Sequence, residues 1–520
     1  MKIFRRGFWP KIVIYLSVIL EFALLCYVVW ALVSNTWNTP SAIVSVIILW
    51  ALSFLFAIQI IESDAEESYK IAWLFLVGLV PVLGPLLYLL FAHKHRTKKQ
   101  RNHFRRYFAI LKEAKQDPAI NEAVKAYDPS AFCTARYLEQ ATNGVLFDHS
   151  EVTYFPFGDD MFPKMLEDLK KARHYIFIEY FIITPGKMWN SILEILKQKA
   201  AEGVDVRVVW DDVGNISSTP VRYDTELQKY GIHARVYGKI KPLLDVRYNQ
   251  RDHRKIMVID GHTAYTGGVN LADEYINIID RFGVWKDNAI RVYGDAAFGY
   301  TLLFLAHWHT DFDPHESLSY EEYHAERYRD EVGIRPDTSC YVLPYGDVPY
   351  GDHPAGEGTY LSILGHAYDY VYMTTPYLIP TDKLMTAMMN SALSGIDVRL
   401  ITPAIPDKKL IFEITRSNYG KLLKAGVKIY EFRDGFVHAK TFISDDRLAT
   451  IGTINLDYRS LYLHLENGTL LIGDEISKTM KADFLSTEAR SVPITLETWK
   501  KWRRKKWFLW GLLRLIAPFC

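Results

Sequence analysis

The sequence predicts an α/β protein built from two similar halves that follow an apolar N-terminal region. The pattern His-x-Lys-x4-Asp begins at His253 and again at His438, and Gly-x-x-Asn follows each copy. The two histidines lie 185 residues apart, and so do the two trailing asparagines, Asn270 and Asn455. Strands and helices alternate in the same order ahead of both copies, which predicts mixed sheets flanked by helices in each half.

Composition narrows the class of protein. At 520 residues the chain is long enough for two or three domains. Its formal net charge is +1, so charge provides no general attraction for nucleic acid. The cysteines Cys26, Cys133, Cys340 and Cys520 are widely scattered, which suggests neither a disulfide framework nor a zinc site and favours a reducing compartment.

Three apolar runs precede the two halves: Ile12 to Val33, Ser41 to Ile61 and Ile71 to Phe91. Only the first contains a charged residue, Glu21. Each run has the length needed to cross a hydrocarbon core of about 30 Å. Because the first run is too long for a signal-peptide core, we expect a retained membrane anchor and a multi-pass protein.

The charges around these runs leave two topologies open. Basic residues precede the first run, and a heavier basic cluster follows the third. Three full crossings would put these clusters on opposite sides, against the positive-inside rule. Either the N-terminus lies outside, or the third run, interrupted by Pro81, Gly84 and Pro85, is re-entrant or interfacial. In both cases we expect the two halves in the cytoplasm of a bacterial cell.

Two basic stretches carry aromatic side chains. The stretch from His93 to Lys115 is typical of contact with anionic lipids, and a solvated helix that only fixes topology is an equal alternative. Lys500 to Lys506 leads into Trp507 to Leu513, which is typical of an interfacial amphipathic helix. The alternative for this second stretch is a helix packed on the second half of the chain.

The halves repeat one series of elements. Helices are predicted at Met161 to Lys171 and Ser191 to Ala201. The predicted strands are Tyr175 to Ile183, Val204 to Trp210 and Gly231 to Tyr237, matched by Tyr370 to Thr375, Gly395 to Ile401 and Gly426 to Tyr430. A charged stretch, Asp311 to Arg335, is predicted to be a surface linker between the halves. His307, His309, His315 and His324 cluster there, and a solvated loop is favoured over a metal site.

The chemistry of the repeated pattern points to a phosphodiester. The residues around each histidine are predicted to form a short strand, in which side chains two positions apart share a face. Each histidine would then lie beside Lys255 or Lys440, and beside Asn270 or Asn455 from the returning strand. An imidazole can attack phosphorus or protonate a leaving alkoxide, and an ammonium and an amide can neutralise phosphate oxygens. Two copies that face each other supply both a nucleophile and an acid.

Asp260 and Asp445 end the two copies, and each is followed by a turn signal. Their carboxylates either orient a histidine or support the strand. A single copy would be an ordinary strand, but two copies with the same trailing asparagine argue against coincidence. Lysine is a poor metal ligand and neither H-E-x-x-H nor C-x-x-C occurs, so we expect no metal and no organic cofactor.

The doubled pattern resembles the signature of the phospholipase D superfamily, and the chain is most similar to the bacterial cardiolipin synthases. The resemblance extends from about Val152 to the C-terminus. It also rests on Arg254-Lys255, Asp273-Glu274-Tyr275, Trp285-Lys286-Asp287, Thr375 to Pro380 and Gly452 to Ser460. One departure is His464, which stands two residues before Glu466 where the family usually has asparagine, so the role of that asparagine is in doubt here.

The resemblance implies a pseudo-two-fold pair of phospholipase D-like lobes, residues 151–335 and 336–520, that brings both patterns to one interface. Residues 1–92 would form membrane segments and residues 93–150 a basic juxtamembrane linker. The second lobe would end in the basic amphipathic tail.

The implied activity is the synthesis of cardiolipin and glycerol from two molecules of phosphatidylglycerol through a phosphohistidine. The implied catalytic residues are His253, Lys255, Asp260, His438, Lys440 and Asp445, with Asn270 and Asn455 binding phosphate. His253 is the favoured nucleophile and His438 the acid and base, although the residues alone do not assign these roles. The expected partners are phosphatidylglycerol and other anionic membrane lipids, not nucleic acid.

Three alternatives stay open. The first is a phospholipase D hydrolase, or a phosphatidyltransferase that uses another alcohol. The second, a nuclease, is disfavoured by the near-neutral charge and the apolar N-terminal region. The third, a catalytically idle membrane protein, is disfavoured because the residues of both patterns are intact.

Overall fold

Two mixed β-sheets, one from each half of the chain, form the frame of the protein in the computed structural model. The structure describes residues 23, 40–63, 65–80, 83–92, 98–239, 250–313, 320–324, 336–349 and 351–519. The strands of the first half are β1 Ser150–Phe155, β2 Tyr175–Tyr180, β3 Asp205–Asp211, β4 His233–Tyr237, β5 Lys255–Ile259, β6 Thr263–Gly267, β7 Val284–Lys286 and β8 Ala289–Gly294. Those of the second half are β9 Tyr341–Asp347, β10 Tyr370–Thr374, β11 Asp397–Pro403, β12 Lys428–Phe432, β13 Gly435–Val437, β14 Thr441–Ser444, β15 Leu448–Gly452, β16 Glu466–Ile472 and β17 Ser491–Ile494.

Helices cover the sheets and also form the N-terminal region. The N-terminal and linker helices are α1 Pro40–Glu62, α2 Glu67–Leu79, α3 Leu83–Phe91, α4 Lys98–Leu111, α5 Pro118–Tyr127 and α6 Pro129–Thr142. The first half contains α7 Gly158–Lys171, α8 Lys187–Ala201, α9 Tyr223–Gln228 and α10 Ala297–His307. The second half contains α11 Ala355–His366, α12 Asp382–Leu393, α13 Lys409–Ala425, α14 Tyr458–Tyr462, α15 Asp474–Ala489 and α16 Leu496–Ile516.

The two sheets have the same topology. The strand order is β1-β8-β6-β5-β2-β3-β4 in the first and β9-β16-β15-β14-β10-β11-β12-β17 in the second, where β17 adds an edge. In each sheet three neighbouring strands run parallel, β2-β3-β4 in the first and β10-β11-β12 in the second. The strand after each histidine, β5 or β14, pairs antiparallel with β2 or β10. The predicted α/β class and the predicted repetition of elements are therefore confirmed.

A shared core joins the halves. Phe177 of β2 stacks on Phe304 of α10 with ring centroids 4.6 Å apart, and Tyr372 of β10 stacks on Phe484 of α15 at 4.8 Å. All four rings belong to one buried cluster that contains residues from both sheets. Burying one such ring contributes about 2–3 kcal/mol, so the halves are held together by a real core and not only by a linker.

Short parallel pairings also cross the interface between the halves. Strand β7 pairs with β13, and Asp252 forms a bridge with Leu465. Each pairing lies directly beside one of the two histidines, so the backbone of one half holds the histidine of the other.

The N-terminal apolar region differs from the simplest expectation. The first run, Ile12 to Val33, lies outside the described residues apart from Ala23. The second run forms α1, whereas the third is divided between α2 and α3, close to Pro81 in the sequence. A Cβ on Gly84 would lie 2.5 Å from the carbonyl oxygen of Leu76, so only glycine allows this close contact between the two helices. Among the described residues, no helix combines the length and apolarity of a membrane crossing.

The two basic aromatic stretches pack on the protein. Tyr107 of α4 is buried and accepts a hydrogen bond from Arg254, so this aromatic side chain belongs to the core and not to a lipid contact. In α16, Trp499 and Trp510 are buried against the second half, while Trp507 remains two-thirds exposed, at 67%. The C-terminal helix therefore packs on its lobe along one face and presents apolar side chains along another.

The sequence favours a solvated loop for the linker histidines, but two of them are buried. His307 and His309 are fully buried at the end of α10, because this helix runs through the core between the halves. His324 packs against Phe298 with ring centroids 4.4 Å apart. His315 lies outside the described residues.

Asp260 and Asp445 occupy equivalent turns after β5 and β14. Asp260 accepts hydrogen bonds of 2.8 Å from the backbone N–H groups of Arg173, His174 and Tyr175. Asp445 accepts hydrogen bonds from the three N–H groups of residues 368–370, at 2.9 to 3.2 Å. Both aspartates have positive φ angles, 49° and 56°, in the turn. Of the two alternatives for these carboxylates, the geometry favours support of the strands, because each carboxylate ties the end of β5 or β14 to the start of β2 or β10.

We therefore expect Asp260→Ala and Asp445→Ala to lower stability and to leave turnover per folded molecule close to that of the wild type. Loss of a carboxylate that binds three N–H groups should cost about 2–4 kcal/mol. Thermal unfolding of the full chain, with exposed Asp337→Ala as control, measures the first effect. A large loss of turnover at unchanged melting temperature would instead mean that the carboxylate acts on the histidine.

Candidate active site

The two histidines meet the opposite half of the chain through their backbone. His253 N–H donates to Leu465 O at 2.8 Å, and His438 N–H donates to Lys286 O at 2.8 Å. Both side chains are mostly buried. The prediction that each histidine lies within a strand is wrong by a few residues: His253 precedes β5, and His438 lies between β13 and β14. Neither histidine belongs to β5 or β14, because its backbone N–H is bonded to the other half and not to a neighbouring strand of its own sheet.

Each imidazole is held by a carboxylate from the opposite half. Nδ1 of His253 lies 2.9 Å from Glu466 Oε2, and Nδ1 of His438 lies 2.6 Å from Asp287 Oδ2. Both carboxylates are fully buried. Because Nδ1 is engaged in both rings, Nε2 is the nitrogen left for chemistry.

The sequence pattern alone does not predict Asp287 or Glu466 as partners of the histidines. A signal was available, because each is followed by asparagine, Asn288 and Asn467, in a second repeated pair. Asn467 Oδ1 accepts from the backbone N–H of Lys255 at 3.1 Å, so the pair also ties the strand after His253 to the second half.

The two lysines turn back on the histidines. Nζ of Lys255 donates to His253 O at 2.7 Å, and Nζ of Lys440 donates to His438 O and lies 2.9 Å from His438 Nδ1. Burial lowers the pKa of Lys255 to about 7, against the attraction of Glu466. Burial also lowers the pKa of Lys440 to about 8, against Asp287. These ammonium groups therefore lose their protons far more easily than ordinary lysines.

The histidines share one electrostatic environment. Burial lowers the pKa of His253 well below its usual value, and the positive charges of Lys255 and Lys440, together with His438, lower it further. Burial and Lys440 lower the pKa of His438 to about 4, although Asp287 opposes this shift. Without a bound anion both imidazoles are therefore neutral at pH 7, and charged groups of the opposite half change the pKa of each.

The two asparagines are not equivalent. Asn270 Oδ1 accepts from Ile182 N–H at 3.0 Å, and its Nδ2 donates to the hydroxyl of Tyr275 at 2.8 Å. The ring of Tyr275 lies against that of His438, with centroids 5.4 Å apart. The amide of Asn270 thus holds a neighbour of His438, whereas Oδ1 of buried Asn455 has no hydrogen-bond partner among the described residues.

A buried ionic cluster lies beneath His253. Arg254 contacts Glu179 at 2.5 Å and Asp252 at 3.2 Å, and His307 Nδ1 lies 2.8 Å from Glu179. Burial raises the pKa of Asp252 to about 7, with Glu179 adding to the shift. Although Glu179, Asp252 and His307 could converge on a metal ion, the guanidinium of Arg254 contacts both carboxylates and would repel a cation there.

His464 enlarges the site beside His253. Its ring centroid lies 5.7 Å from that of His253, and its Nδ1 lies 3.5 Å from Glu466 Oε1. Neither ring nitrogen has a hydrogen-bond partner within the described part of the chain. Donor atoms of His253, His464 and Glu466 all lie within 4.8 Å of one another, a possible metal-binding geometry. Lys255 and Lys440 both lower the pKa of His253, so they lie close enough to repel a cation there.

Comparison with known proteins agrees with this geometry. Residues 165–288 and 360–487 match the family described as "Cardiolipin synthase, PLD-like domain", and residues 43–92 match "Phospholipase_D-nuclease N-terminal". An uncharacterised protein of Streptococcus mutans is 39% identical over 469 residues, which is 89% of this chain and 98% of that protein. Cardiolipin synthase 2 of Bacillus anthracis is 31% identical over 471 residues, 90% of each chain.

A solved structure has a similar fold. The phosphatidylserine synthase of Haemophilus influenzae superposes with a TM-score of 0.55 at 13% identity and covers 75% of this chain and 100% of its own. At that identity the likeness concerns the fold alone. Three findings indicate the same family: the repeated histidine pattern, the two sheets of equal topology, and the similarity to the B. anthracis synthase over 90% of each chain. The chain therefore belongs to the cardiolipin synthase family of the phospholipase D superfamily.

Proposed function

We propose that this protein is a cardiolipin synthase that transfers a phosphatidyl group from one phosphatidylglycerol to another. The observation that carries the proposal is the exchange of carboxylates between the halves, Glu466 to His253 and Asp287 to His438. It orients two buried imidazoles, one to act as nucleophile and one to transfer protons, as a two-step displacement at phosphorus requires.

In the first step, Nε2 of His253 attacks the phosphorus of phosphatidylglycerol, and a nitrogen–phosphorus bond forms as the bond to the glycerol oxygen breaks. His438, protonated once the anionic substrate is bound, gives its proton to that oxygen, and glycerol leaves. Glu466 stabilises the positive charge that develops on His253.

In the second step, His438 takes the proton from a headgroup hydroxyl of another phosphatidylglycerol. The resulting alkoxide attacks the phosphohistidine, the nitrogen–phosphorus bond breaks, and cardiolipin and free His253 are formed. Lys255 and Lys440 neutralise the phosphate oxygens while they carry protons. The proposed role of Asn455 is to bind a phosphate oxygen, while Asn270 positions Tyr275 beside His438.

We also propose that the protein is integrated in the cell membrane with its lobes in the cytoplasm. The match of residues 43–92 to an N-terminal family segment supports an anchor there. Exposed apolar side chains on α1, such as Trp50 and Phe54, and on α16, such as Trp507 and Phe508, support contact with lipid. The N-terminal helices and the C-terminal end of the chain are in contact, because Phe519 packs against Tyr69 of α2 with ring centroids 5.5 Å apart.

The product from phosphatidylglycerol alone tests this function. Purified full-length protein should release cardiolipin and glycerol, and His253→Ala or His438→Ala should reduce the rate by about 10³-fold or more. Exposed His233→Ala is the matched control and should retain the rate. Phosphatidic acid as the main product would replace the proposal with hydrolysis, and full activity of either histidine variant would reject the site.

The two carboxylates should affect the two steps to different extents. Glu466→Gln should slow mainly the formation of the phosphohistidine, whereas Asp287→Asn should slow both steps, because His438 transfers a proton in each. Each loss is expected to be about 10–100-fold, because the charge is removed and the shape kept. Rapid-quench measurement of acid-labile phosphate separates the two steps. Equal accumulation of the intermediate in both variants would contradict the division of roles.

The pH dependence follows from the lysines. In the free enzyme, Lys255 with a pKa of about 7 and Lys440 with a pKa of about 8 lose their positive charges as pH rises through these values. Because phosphate binding needs these charges, kcat/KM should begin to fall above about pH 7, where Lys255 loses its charge, and should fall further above about pH 8. It should not fall as pH decreases from 7 to 6, because the pKa of His253 lies well below its usual value and this imidazole stays neutral. A kcat/KM that stays flat to pH 9.5 would show that the lysine charges are dispensable.

A further inference from the structure

A groove between α13 and the C-terminal helix α16, separate from the two histidines, has an unusual lining. Four cationic side chains line it, Lys421 and Lys424 from α13 and Arg503 and Arg514 from α16. Its apolar walls include Trp507 and Trp510, and none of its lining residues is acidic. Its volume of about 390 Å³ is large enough for a phosphate with a small polar substituent.

We propose that this α13–α16 groove binds the headgroup of an anionic phospholipid from the surrounding membrane. Clustered arginine and lysine recognise phosphate, and exposed tryptophan is typical of the membrane interface. The proposal goes beyond the proposed function, because it concerns a second lipid molecule that is bound and not converted.

The cations of the groove are arranged for an anion and are not neutralised by carboxylates of the lining. Arg503 lies over the ring of Trp499, with its guanidinium carbon 5.3 Å from the ring centroid. Arg514 donates to the carbonyl and hydroxyl oxygens of Ser417, which are uncharged partners. The positive charge therefore persists on the groove wall, and a phosphate supplies the missing negative charge.

The position of the groove suits a lipid still embedded in a bilayer. Trp507, Phe508 and Leu512 are exposed along the same helix, at 67%, 63% and 47%. Helix α16 also contacts α2 of the apolar N-terminal region. Lipid acyl chains can follow these apolar side chains while the phosphate enters the groove, whereas a soluble phosphate ester would gain nothing from them. The structure thus favours a membrane lipid over a free phosphate compound.

Gly511 leaves the groove open. A Cβ at this position would have nothing within 4 Å, although the residue lies on α16 beside Trp510. Leucine at Gly511 would fill the groove without altering its charge, and leucine is a better helix former than glycine. Gly365 on α11 provides a matched control, since a Cβ there would also meet nothing within 4 Å.

The test is photolabelling of the full-length His253→Ala protein in detergent micelles with a diazirine derivative of phosphatidylglycerol. Because this protein does not turn lipid over, the result is independent of the proposed reaction. We expect labelled peptides from residues 421–424 and 503–514. The label should fall at least about five-fold in Gly511→Leu and in Lys424→Gln/Arg503→Gln, and should persist in Gly365→Leu.

Short-chain phosphatidylglycerol should compete for the label, and phosphatidylcholine and inorganic phosphate should not. Equal labelling of Gly511→Leu and Gly365→Leu would overturn the proposal, as would equal competition by phosphatidylcholine. Competition by inorganic phosphate alone would overturn the assignment to a membrane lipid. Thermal unfolding of each variant shows whether it is folded, and the absence of label from both peptides in the His253→Ala protein itself would be decisive without any further variant.

Discussion

The imidazoles of His253 and His438 are each held by a carboxylate from the other half of the chain. If these imidazoles carry out the proposed reaction, the interface between the lobes is required for chemistry as well as for stability. A lobe on its own would present a histidine without its orienting acid and an acid without its histidine, both exposed to solvent. In the intact protein, removing one partner of such a buried pair is costly, because the other keeps its desolvation penalty. The shared core, which contains buried residues from both halves, keeps the lobes together so that both exchanges are present at once.

The halves repeat a fold but not an environment. In the first sheet Glu179 lies opposite Ile256 on β5, whereas Thr374 occupies the equivalent place beside Thr441 in the second. The acid of the first half recruits Arg254 and His307 into the ionic cluster under His253, and Thr374 instead bonds to the hydroxyl of Thr441 at 2.7 Å. The backbone that carries His253 is thus tied down by charges, and that of His438 by a neutral hydrogen bond. This difference supports separate roles for the two histidines.

The sequence predicts the frame and the reacting groups well because both follow local rules. Buried strands such as β2 are continuous apolar runs, and a repeated pattern identifies His253 and His438 without any long-range information. The cross-lobe partners are another matter. Asp287 lies 151 residues before the histidine it orients, so only the packing of the lobes brings them together. The same limit explains Asp260, whose hydrogen-bond partners before β2 lie 85 to 87 residues earlier in the sequence.

Tyr107 and His307 escaped prediction for a related reason. A basic aromatic stretch and a charged linker both look solvent-exposed, but each contains side chains that the core between the lobes captures. The residues around a side chain in the sequence indicate whether the stretch as a whole is exposed. Whether one side chain of that stretch is buried depends on a surface formed by another helix or strand. The misplaced residues are accordingly those at the interface, which is also where the chemistry lies.

Charge balance in the site links substrate binding to proton transfer. Without substrate, the positive charges of Lys255 and Lys440 are balanced by the negative charges of Asp287 and Glu466. No net negative charge is then left to favour the protonated form of His438, whose pKa is about 4. A bound phosphodiester adds one negative charge. At about 4 Å and an effective dielectric constant of about 20, that charge stabilises an imidazolium by roughly 4 kcal/mol. This is enough to return the pKa of His438 to the neutral range. In the proposed reaction, His438 therefore takes up a proton from solvent when the anionic lipid binds, and it passes this proton to the departing glycerol. The general acid would then exist only when there is a leaving group to protonate.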